Sequence, residues 1–588
     1  MKNGYKNDYH LEQKFHQFRD LRELLRYSAE VYDDNTCFIT KVSKKSRHYE
    51  NALYQKTSYR QFFTEMGYLG TALEAVGLSG EKIGVIGENS YRWILSYVTA
   101  ACGLGVIVPL DKALQKEELE SLIERSEISC LFYDKKMKRL IDEIRAEETN
   151  GIRFFVALDF TPEEEGILSF DQLLEDGKQR VRNGDRTYLD ADIDPEAMSF
   201  LLFTSGTTSQ SKAVMLSHKN LMSTNWGMNC EELFFPDDVN MIILPLHHIY
   251  GFSGLVTFLS QGLTNVFCDG LRYIAMNLKE YRVSVITSVP LLLENMYKKI
   301  LQAIEKNGKT EQVKRALRIC NAADAVGINL RSRMFREIID QFGGRMRFII
   351  NGAAPLDPVV QKGLNDFGIL TVQGYGLTET SPTIASETYR YLKPGSCGIV
   401  MPNVKARIED PDENGVGELV VKGDNVMLGY YCDPEATSEV LVDGWFHTGD
   451  LARIDRDGYV FISGRKKNVI VMKNGKNVFP EEIENLINVL PYVSDSVVFT
   501  RNKLNDYVLW AKVVFDETAA AESGLTFEEA EQKLEEDMET INQSMPQYKM
   551  VKRWFLSKTP TIKTTTLKVK RHEEIRQIEK EIRERGLK

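Results

Sequence analysis

The sequence has no paired cysteines. Its eight cysteines stand singly along 588 residues, without a C-x-x-C pair or a Cys/His spacing typical of a zinc site. The first residues, MKNGYKNDYHLEQKF, are polar and contain no apolar stretch of the kind that a secretory signal needs. A disulfide framework is therefore not expected in a chain of this size, and we expect a cytoplasmic protein.

The chain also lacks an excess of positive charge and a clear membrane span. It has 74 Lys and Arg against 84 Asp and Glu, a formal charge of −10, which argues against non-specific nucleic-acid binding. Residues 93–110 carry no charge, but Gly103 and Gly105 divide them, so we expect a buried helix (91–102) and a strand (105–110). We predict no transmembrane segment. Peripheral membrane contact stays open. The sequence shows no strongly amphipathic basic helix that would decide the question, beyond an ordinary N-terminal one.

The pattern of apolar residues predicts an α/β fold in more than one domain. The chain is too long for one ordinary core, and 43% of its residues are apolar. From about residue 56, short apolar strands alternate with amphipathic helices, which is typical of parallel sheets covered on both faces. After residue 400 we predict a small β-rich region and then a compact α+β segment. We place a large N-terminal domain at 1–463, a charged hinge at 464–468 and a small mobile C-terminal domain at 469–588.

The loop after the predicted strand 198–203 has the composition of a phosphate site. Its sequence, TSGTTSQSK, supplies hydroxyls, one glycine and a lysine, which can surround phosphate oxygens with donors and positive charge. It is not a Walker A loop, because Ser211 stands at the second glycine position and Ala213 follows the lysine. Taken alone, these residues could also form a Ser/Thr-rich surface loop that binds no ligand. The predicted phosphate-binding residues are Thr204, Ser205, Gly206, Thr207, Thr208 and Lys212.

Further segments carry side chains suited to nucleotide or acyl chemistry. Each has an ordinary explanation in isolation: strand-end histidines, a helix-capping glutamate, a turn aspartate or a solvated lysine. Their joint order along the chain argues for a single site. The segments are PLHHIYG (245–251), GAAPL (352–356), QGYGLTET (373–380), WFHTGD (445–450), GRKKN (464–468) and TTLKVKR (565–571).

Together with the phosphate loop, these segments resemble the adenylate-forming superfamily, which includes acyl-CoA synthetases, luciferases and the adenylation domains of peptide synthetases. The resemblance runs from about residue 56 to 575, with the motifs in the family's order. The LKVKR tail is most similar to that of AMP-forming long-chain fatty acyl-CoA ligases. The phosphate loop departs from the family's T-S-G-T-T-G-x-P-K-G at Ser209, Ser211 and Ala213, and Leu567 replaces a glycine before the terminal lysine.

The resemblance implies that ATP activates a carboxylic acid. The carboxylate attacks the α-phosphate, pyrophosphate leaves, and a thiol then takes the acyl group with release of AMP. ATP, Mg²⁺ and coenzyme A as co-substrate are the implied cofactors. Lys568 would stabilise the first transition state, Thr378 would contact the α-phosphate, and Glu379 with Thr204 would bind Mg²⁺.

The same resemblance assigns the remaining nucleotide contacts. Gly374, Tyr375 and Gly376 would hold the adenine, with the tyrosine stacked on the base. Asp450 would accept both ribose hydroxyls, a role that the two oxygens of a carboxylate suit, and Arg465 would bind the ribose or a phosphate.

The motifs say less about the acid substrate and the thiol acceptor than about the nucleotide. His248 would act beside the acyl pocket, and no aspartate follows the Pro-x-x-His segment, so a medium- or long-chain fatty acid fits better than an amino acid. Lys467 matches the family's hinge position. CoA is the leading acceptor. Four other identities for the protein stay open: an acyl-carrier-protein ligase, a fatty acyl-AMP ligase, an aryl-acid CoA ligase and a non-catalytic nucleotide-binding regulator. The predicted acyl-pocket residues are His248, Tyr250, Phe252, Gly352, Ala353, Ala354 and Pro355.

Overall fold

The computed structural model describes residues 15–42, 52–147, 151–204, 211–231, 234–472, 476–503, 506–563 and 569–587. The strands up to residue 400 are β1 Thr36–Lys41, β2 Tyr54–Ser58, β3 Glu81–Ile86, β4 Gly105–Leu110, β5 Cys130–Tyr133, β6 Phe154–Ala157, β7 Ile167–Ser169, β8 Met198–Thr204, β9 Lys212–Ser217, β10 Val239–Ile242, β11 Thr264–Phe267, β12 Val285–Ser288, β13 Phe348–Asn351, β14 Leu370–Gly376, β15 Thr383–Ser386 and β16 Ile399–Val400. The later strands are β17 Val404–Glu409, β18 Gly417–Gly423, β19 Gly429–Tyr430, β20 Leu441–Val442, β21 Trp445–Ile454, β22 Val460–Arg465, β23 Ile470–Val471, β24 Asn477–Val478, β25 Val493–Lys503, β26 Asp506–Phe515 and β27 Arg553–Ser557.

Helices lie between most of these strands. In chain order they are α1 Leu21–Tyr32, α2 Tyr59–Ala75, α3 Tyr91–Thr99, α4 Lys116–Ser126, α5 Lys138–Arg145, α6 Phe170–Arg182, α7 Thr187–Asp190, α8 His218–Glu231, α9 Ile249–Ser260, α10 Ile274–Glu280, α11 Pro290–Lys306, α12 Thr310–Asp324, α13 Arg331–Met334, α14 Arg336–Gln341, α15 Pro358–Asp366, α16 Pro434–Val440, α17 Pro480–Asn488, α18 Glu517–Ser523, α19 Phe527–Gln543 and α20 Arg571–Glu584. Short 3₁₀ turns at Thr378–Thr380 and Lys466–Asn468 matter for the site described below.

Two large, mainly parallel sheets confirm the predicted α/β fold. One has the strand order β16-β15-β14-β13-β12-β10-β11-β1-β2, and the other β19-β9-β8-β4-β3-β5-β6-β7. Antiparallel strands lie only at their ends, so the central apolar strands are covered on both sides by helices. A third sheet, β17-β18-β21-β20 with β22 paired to β21, is antiparallel and forms the predicted β-rich region.

The long uncharged segment is buried, as expected. It forms α3, a π-turn over Ala100–Leu104 and then β4 in the middle of its sheet. A Cβ atom on Gly105 would lie 2.0 Å from the Glu81 carbonyl oxygen, so only glycine lets β4 approach β3 this closely. No helix in the described part of the chain is long and apolar enough to cross a membrane.

The predicted phosphate loop joins two antiparallel strands. β8 and β9 form a hairpin in which Thr204 pairs with Lys212, and Thr204 Oγ1 donates a 3.3 Å hydrogen bond to the Lys212 carbonyl oxygen. The next helix, α8, begins only after β9. The loop therefore differs from a Walker A loop in topology as well as in sequence, because a Walker A loop leads directly into a helix.

The C-terminal part has its own core. β25 pairs antiparallel with β26, β27 pairs parallel with β26, and α17 and α19 pack on this three-stranded sheet. Thr526 and Glu529 cap the start of α19 reciprocally, which satisfies backbone N–H groups that the helix leaves unpaired. The helix α20 covers the other face of the sheet through Ile578 and Ile582.

Candidate active site

A carboxylate, a phenol and a guanidinium meet where two of the sheets come together. Tyr375, at the end of β14, donates a 2.5 Å hydrogen bond to Asp450 Oδ2. Arg465 Nε lies 2.7 Å from Asp450 Oδ1, because β21 and β22 place these residues opposite each other. Asp450 is only 3% exposed, so these two partners offset the cost of burying its charge. Each oxygen of this carboxylate thus has a protein partner that fixes its orientation.

The local backbone explains this placement. Gly449 has φ +68°, which turns β21 just before Asp450, and the Asp450 N–H donates to Thr448 Oγ1 at 3.1 Å. On the other side, a Cβ atom on Gly376 would lie 1.6 Å from the Pro382 carbonyl oxygen. Glycine at this position therefore allows β14 to approach the turn that follows Thr378–Thr380.

Electrostatics in this cluster follow from burial and from the mutual contacts. Burial, and then the adjacent Asp450 charge, raise the pKa of Tyr375 well above its ordinary value. Burial opposes the charge of Arg465, but Asp450, Tyr375 and Glu379 together raise its pKa above its ordinary value. Tyr375 therefore acts as a hydrogen-bond donor and Arg465 as a fixed cation across the physiological range.

A second cluster brings Glu379 and Lys212 to the same tyrosine. Tyr430 Oη donates a 2.9 Å hydrogen bond to Glu379 Oε1, and Lys212 Nζ lies 4.3 Å from the centroid of the Tyr430 ring. β19 carries this tyrosine and pairs with β9, which begins at Lys212. The Glu379 carbonyl oxygen also accepts from the Met427 N–H at 2.8 Å. Sequence reasoning missed Tyr430, because no motif distinguished it among 25 tyrosines.

The charges of both clusters affect the pKa of the predicted hinge residue, Lys467. Burial and then Arg465 lower the pKa of Lys467, Lys212 lowers it further, and Asp450 and Glu379 oppose this change. The neighbouring Lys466 points the other way and pairs with Glu418 at 2.7 Å. Lys467, Arg465 and Lys212 therefore influence one another electrostatically together with Asp450 and Glu379, a mixture of charges that suits a polyanion bound with a cation.

The predicted acyl-pocket residues separate into two groups. Tyr250 Oη donates to the carbonyl oxygens of Ile350 at 3.0 Å and Ser288 at 3.2 Å, so this side chain spans the ends of β13 and β12. A Cβ atom on Gly352 would lie 2.8 Å from the Tyr250 ring. Phe252 instead is fully buried against Tyr97, with ring centroids 3.9 Å apart, and belongs to the main core.

A narrow cavity of about 20 Å³ lies on the Tyr250 side of α9. The turn after β13, with Ala353, Ala354 and Pro355, is tied to β14 because the Leu356 N–H donates to Gln373 Oε1 at 2.5 Å. The turn predicted to line the acyl pocket and the strand predicted to hold the adenine are thus held together. Residues lining the cavity include Met228, Phe234, Tyr250, Ser253, Thr257 and Phe258.

The adjacent histidines have different surroundings. His248 immediately precedes α9, and its ring centroid lies 4.1 Å from that of His247. Burial lowers the pKa of His247 to about 4, so this ring stays neutral although Asp111 lies 3.6 Å away. His248 is therefore packed against a neutral neighbour at the start of the helix that borders the cavity.

Several predicted site residues fall outside the described part of the chain. These are Ser205, Gly206, Thr207 and Thr208 in the phosphate loop, with Ser209, and Lys568 with the preceding Leu567. The ends of both segments are described. Thr204 and Lys212 flank the first, while Lys563 and Val569, which flank the second, form an antiparallel bridge.

The donor set fits a magnesium ion held mainly by phosphate oxygens. Among the described residues, no group of three or more His, Cys, Asp or Glu side chains could hold a metal on its own. Mg²⁺ usually takes one or two carboxylates and completes its shell with phosphate and water oxygens. Glu379, oriented by Tyr430, supplies one carboxylate, and Thr204 supplies a hydroxyl at the end of β8.

Two family models match most of the chain. The model of the AMP-binding enzyme family matches residues 25–431, and that of the AMP-binding enzyme C-terminal domain matches residues 467–585. Long chain acyl-CoA synthetase 1 of Arabidopsis thaliana is 29% identical over 483 residues, covering 76% of this chain and 72% of that protein. Human long-chain-fatty-acid–CoA ligase 6 is 30% identical over 461 residues, covering 74% and 66%.

Solved structures share the fold over nearly the whole chain. The anthranilate CoA ligase AuaEII, in complex with anthranoyl-AMP, superposes with a TM-score of 0.76 at 19% identity and covers 97% of this chain and 99% of its own. ATP-bound MatB from Rhodopseudomonas palustris gives a TM-score of 0.71 at 25% identity, covering 96% and 99%. The chain therefore belongs to the AMP-binding enzyme family, the adenylate-forming enzymes that were recognised above from their motifs.

Proposed function

We propose that this enzyme converts a medium- or long-chain fatty acid to its acyl-CoA thioester. In the first step a carboxylate oxygen bonds to the α-phosphorus of ATP, and the bond to the β-phosphate oxygen breaks, releasing pyrophosphate. In the second step the CoA sulfur loses its proton and bonds to the acyl carbon, and AMP leaves with the electron pair. The long-chain fatty acyl-CoA synthetases among the relatives support this reaction.

One observation carries the proposal: Arg465, which pairs with Asp450, also interacts electrostatically with Glu379 and Tyr430 of the second cluster. Asp450 accepts the ribose hydroxyls, and Tyr375 lies along the adenine. Lys212 and the hairpin loop neutralise the outgoing pyrophosphate, and Arg465 binds the ribose or a phosphate. Glu379 would hold Mg²⁺, which would withdraw charge from the phosphate oxygens.

Lys568 supplies the positive charge between the two reacting anions. A carboxylate and an α-phosphate repel each other, and a lysine placed between them offsets that repulsion most strongly when the new bond is forming. Thr378 contacts the same phosphate from the 3₁₀ turn that carries Glu379. The reaction needs no covalent enzyme intermediate, so positioning and charge supply most of the rate enhancement.

The acyl chain follows the Tyr250 side of α9. The cavity there is lined by apolar and hydroxyl side chains without a charged group, which suits an alkyl chain and not an ammonium group. Met228, Phe234 and Phe258 border it, and such flexible or aromatic side chains can move to admit methylene groups. His248, at the start of the same helix, would contact the carboxylate end of the acid.

Pyrophosphate release with acids of two to eighteen carbons, measured with and without CoA, tests this function. We expect release with medium- or long-chain acids and acyl-CoA formation when CoA is present. Release that needs no CoA and yields no thioester would favour a carrier-protein or acyl-AMP ligase. No release with any acid would favour a nucleotide-binding regulator.

We also propose that residues 464–468 are a hinge between a domain at 1–463 and one at 469–588. Arg465 ends β22 of the third sheet, Lys466–Asn468 form a 3₁₀ turn, and the sheet of β25, β26 and β27 follows with a separate core. Two half-reactions with different attacking groups require two arrangements of side chains around one phosphate. A hinge beside Arg465 would provide them by rotation of the smaller domain.

A cytoplasmic location and contact with an anionic lipid surface complete the proposal. All eight cysteines are described and none forms a disulfide, as in a reducing compartment.

Residues 309–336 contain seven Lys or Arg and two Asp or Glu, with Arg315 and Arg318 exposed on α12. Apolar side chains on the same segment are also exposed, Ile319 by 52%, Val326 by 71% and Ile328 by 53%.

Vesicle sedimentation tests the lipid contact, and fractionation of cells that express the protein tests the location. We expect binding to vesicles that contain phosphatidylglycerol and little binding to phosphatidylcholine alone. Arg315→Glu with Arg318→Glu should abolish binding, whereas Arg139→Glu on the exposed surface of α5 should not. Equal sedimentation of all variants, or binding to neither vesicle, would contradict the lipid contact.

A further inference from the structure

A fully buried asparagine joins the turn that carries Glu379 to the segment that follows β18. Asn425 is 0% exposed, and its Nδ2 donates hydrogen bonds to the carbonyl oxygens of Thr380 at 3.1 Å and Thr383 at 3.0 Å. Only the nitrogen of the amide group can donate to a carbonyl oxygen, so these two acceptors fix the orientation of the side chain. Asn425 therefore closes the turn immediately after Glu379.

The backbone of this turn needs support from outside. Ser381 lies between the two carbonyl groups and has φ +63°, a left-handed conformation that residues with a Cβ atom adopt at a cost. Within the turn, the Thr380 hydroxyl donates a 2.7 Å hydrogen bond to the Pro382 carbonyl oxygen. Asn425 bonds to the backbone on both sides of Ser381 from another part of the chain, and it thereby helps to hold this conformation.

The segment between β18 and β19 is held in turn by the sheet that contains β9. The Leu428 N–H donates to the Met215 carbonyl oxygen of β9 at 3.0 Å, and β19 pairs with the same strand. Asn220, near the start of α8, donates to the Asp424 carbonyl oxygen at 2.8 Å. Asn425 therefore links the strand that leaves the phosphate loop to the turn of the proposed Mg²⁺ ligand.

The same stretch of chain contacts both the backbone and the side chain of Glu379. The Met427 N–H donates to the Glu379 carbonyl oxygen at 2.8 Å, and Tyr430 Oη donates to Glu379 Oε1 at 2.9 Å. Displacement of the turn relative to this stretch would therefore move the carboxylate away from the hydroxyl that orients it. The hydrogen bonds from Asn425 oppose such a displacement.

We propose that Asn425 is a positioning residue for the Glu379 carboxylate in acyl-adenylate formation. This role depends on the proposed binding of Mg²⁺ by Glu379. Asn425 is too deeply buried to contact ATP or the acid, so it acts through the turn. Loss of a residue that orients a metal ligand typically costs about 10- to 100-fold in metal affinity or activity.

Asn425→Ala removes both hydrogen bonds, and Asn265→Ala is its matched control. Asn265 on β11 is also 0% exposed, and its Nδ2 also donates to two carbonyl oxygens, those of Leu263 at 3.1 Å and Cys37 at 3.3 Å. In its sheet, β11 is separated from β14 by β10, β12 and β13. The two variants should lose similar stability, so a difference between them in Mg²⁺ dependence reports on the site.

Pyrophosphate release without CoA is measured over a range of Mg²⁺ concentrations, and ATP binding is measured by isothermal titration with Mg²⁺ or with EDTA. At the Mg²⁺ concentration that half-saturates the wild type, we expect Asn425→Ala to lose about 10- to 100-fold in adenylation and to recover part of this at higher concentrations. The gain in ATP affinity that Mg²⁺ provides should shrink by about 10-fold. ATP affinity in EDTA should stay near wild type, because the cluster around Asp450 is intact. Asn265→Ala should keep the wild-type Mg²⁺ dependence in both measurements.

Glu379→Gln distinguishes a failure of this role from a failure of the proposed Mg²⁺ site. If Glu379→Gln loses the gain in ATP affinity but Asn425→Ala keeps it, Asn425 is not a positioning residue and the role of Glu379 stands. If Glu379→Gln keeps the gain, the assignment of Glu379 to Mg²⁺ fails, and that of Asn425 fails with it. Adding Asn425→Ala to Glu379→Gln should not reduce the gain further, because both changes act on one carboxylate. The titration needs no acid, so these results hold whichever acid the enzyme activates.

Equal changes of the Mg²⁺ requirement in Asn425→Ala and Asn265→Ala would leave Asn425 with a structural role only. If Asn425→Ala does not fold, Asn425→Asp decides by the same measurements. Aspartate has the size of asparagine but at most one donor when protonated, so it cannot donate a separate hydrogen bond to each carbonyl group. An unchanged Mg²⁺ requirement in Asn425→Asp would contradict the positioning role.

Discussion

The hydroxyl of Tyr430 donates a 2.9 Å hydrogen bond to Glu379, while the ring of the same tyrosine lies 4.3 Å from Lys212 Nζ. One side chain thus orients the carboxylate proposed to bind Mg²⁺ and the lysine proposed to hold the pyrophosphate. The two functions of this tyrosine, donor and aromatic face, can be separated by substitution.

Tyr430→Phe keeps the ring but removes the hydrogen bond to Glu379. A hydrogen bond to a charged group contributes about 1.5–3 kcal/mol, so we expect about a 10-fold or larger fall in the kcat of adenylation. The Mg²⁺ concentration at half-maximal rate should rise. Tyr430→Leu should lose more, because Lys212 then loses the aromatic face as well.

Tyr431→Phe is the control for both variants. Its hydroxyl contacts Lys82 and Glu127 at the surface, away from Glu379. We expect wild-type rates and an unchanged Mg²⁺ requirement. A similar loss in Tyr431→Phe, or none in Tyr430→Phe, would contradict the role given to Tyr430.

Asp450→Asn should weaken nucleotide binding by changing one acceptor oxygen into a donor. That donor would face either the Arg465 side chain or the Tyr375 hydroxyl, and a ribose hydroxyl would lose a charged acceptor. We expect kcat/KM for ATP to fall by about 100-fold, or about 2.7 kcal/mol. Isothermal titration with AMP should show the same loss without any acid present. Unchanged AMP affinity would refute the assignment of Asp450 to the ribose.

Lys568→Ala should abolish acyl-adenylate formation and largely spare transfer from a supplied acyl-adenylate to CoA. The lysine acts on the repulsion between carboxylate and α-phosphate, which exists only in the first half-reaction. We expect at least about a 100-fold loss in the first step. Lys570→Ala, two residues later, serves as the matched control and should retain both steps. Equal impairment of both steps by Lys568→Ala would reject the assignment.

Lys467→Pro should impair thioester formation more than adenylation. Proline fixes φ near −65° and removes a backbone N–H, so rotation about this position becomes restricted. Lys467→Ala keeps the backbone free and separates the effect of lost charge from that of lost rotation. Thioester kinetics in Lys467→Pro that match those of Lys467→Ala would argue against a hinge at this residue.

The stability of the protein should fall between pH 5 and pH 8 because of Glu294. Burial on α11, and then Asp357 and Asp495, raise the pKa of this carboxyl to about 7, while Lys563 opposes the change. The folded protein holds the proton at pH values where the unfolded chain has released it. Rising pH through this window therefore costs about 1–3 kcal/mol.

Glu294→Gln should flatten this pH dependence, which thermal unfolding between pH 5 and 8 would measure. Glu305→Gln, on the exposed surface of the same helix, should keep the wild-type slope. An identical slope in wild type and Glu294→Gln would show that the carboxyl does not titrate in this range. Asp495 and Lys563 belong to the C-terminal part of the chain. We therefore expect the association of that part with α11 to weaken over the same pH range.

The motifs predicted that Tyr375, Asp450 and Arg465 belong to one site, because these residues stand in short, ordered segments. Tyr375, Asp450 and Arg465 meet in the structure, and the alternation of strands and helices was sufficient to predict the α/β fold. The hairpin of β8 and β9 was not predicted, because the direction of β9 depends on pairing with β8 and β19 and not on local composition.

Other residues could not be placed from sequence for physical reasons. Helix α9 is apolar all round and buried on nearly every side, so no periodicity shows that Tyr250 and Phe252 face different neighbours. Helix α20 has the opposite difficulty. Its many charges predict a solvated surface, and only the fold reveals that Glu574 is fully buried against Lys512.

The proposed nucleotide site draws residues from three sheets. Lys212 begins β9 in the second sheet, Tyr375 is the last residue but one of β14 in the first, and Asp450 lies on β21 in the third. No sheet folded alone would recognise ATP, so affinity for the nucleotide should emerge only when all three have docked. In a cell, ATP would then act as a selective ligand for correctly assembled molecules and shift the balance away from partly folded ones.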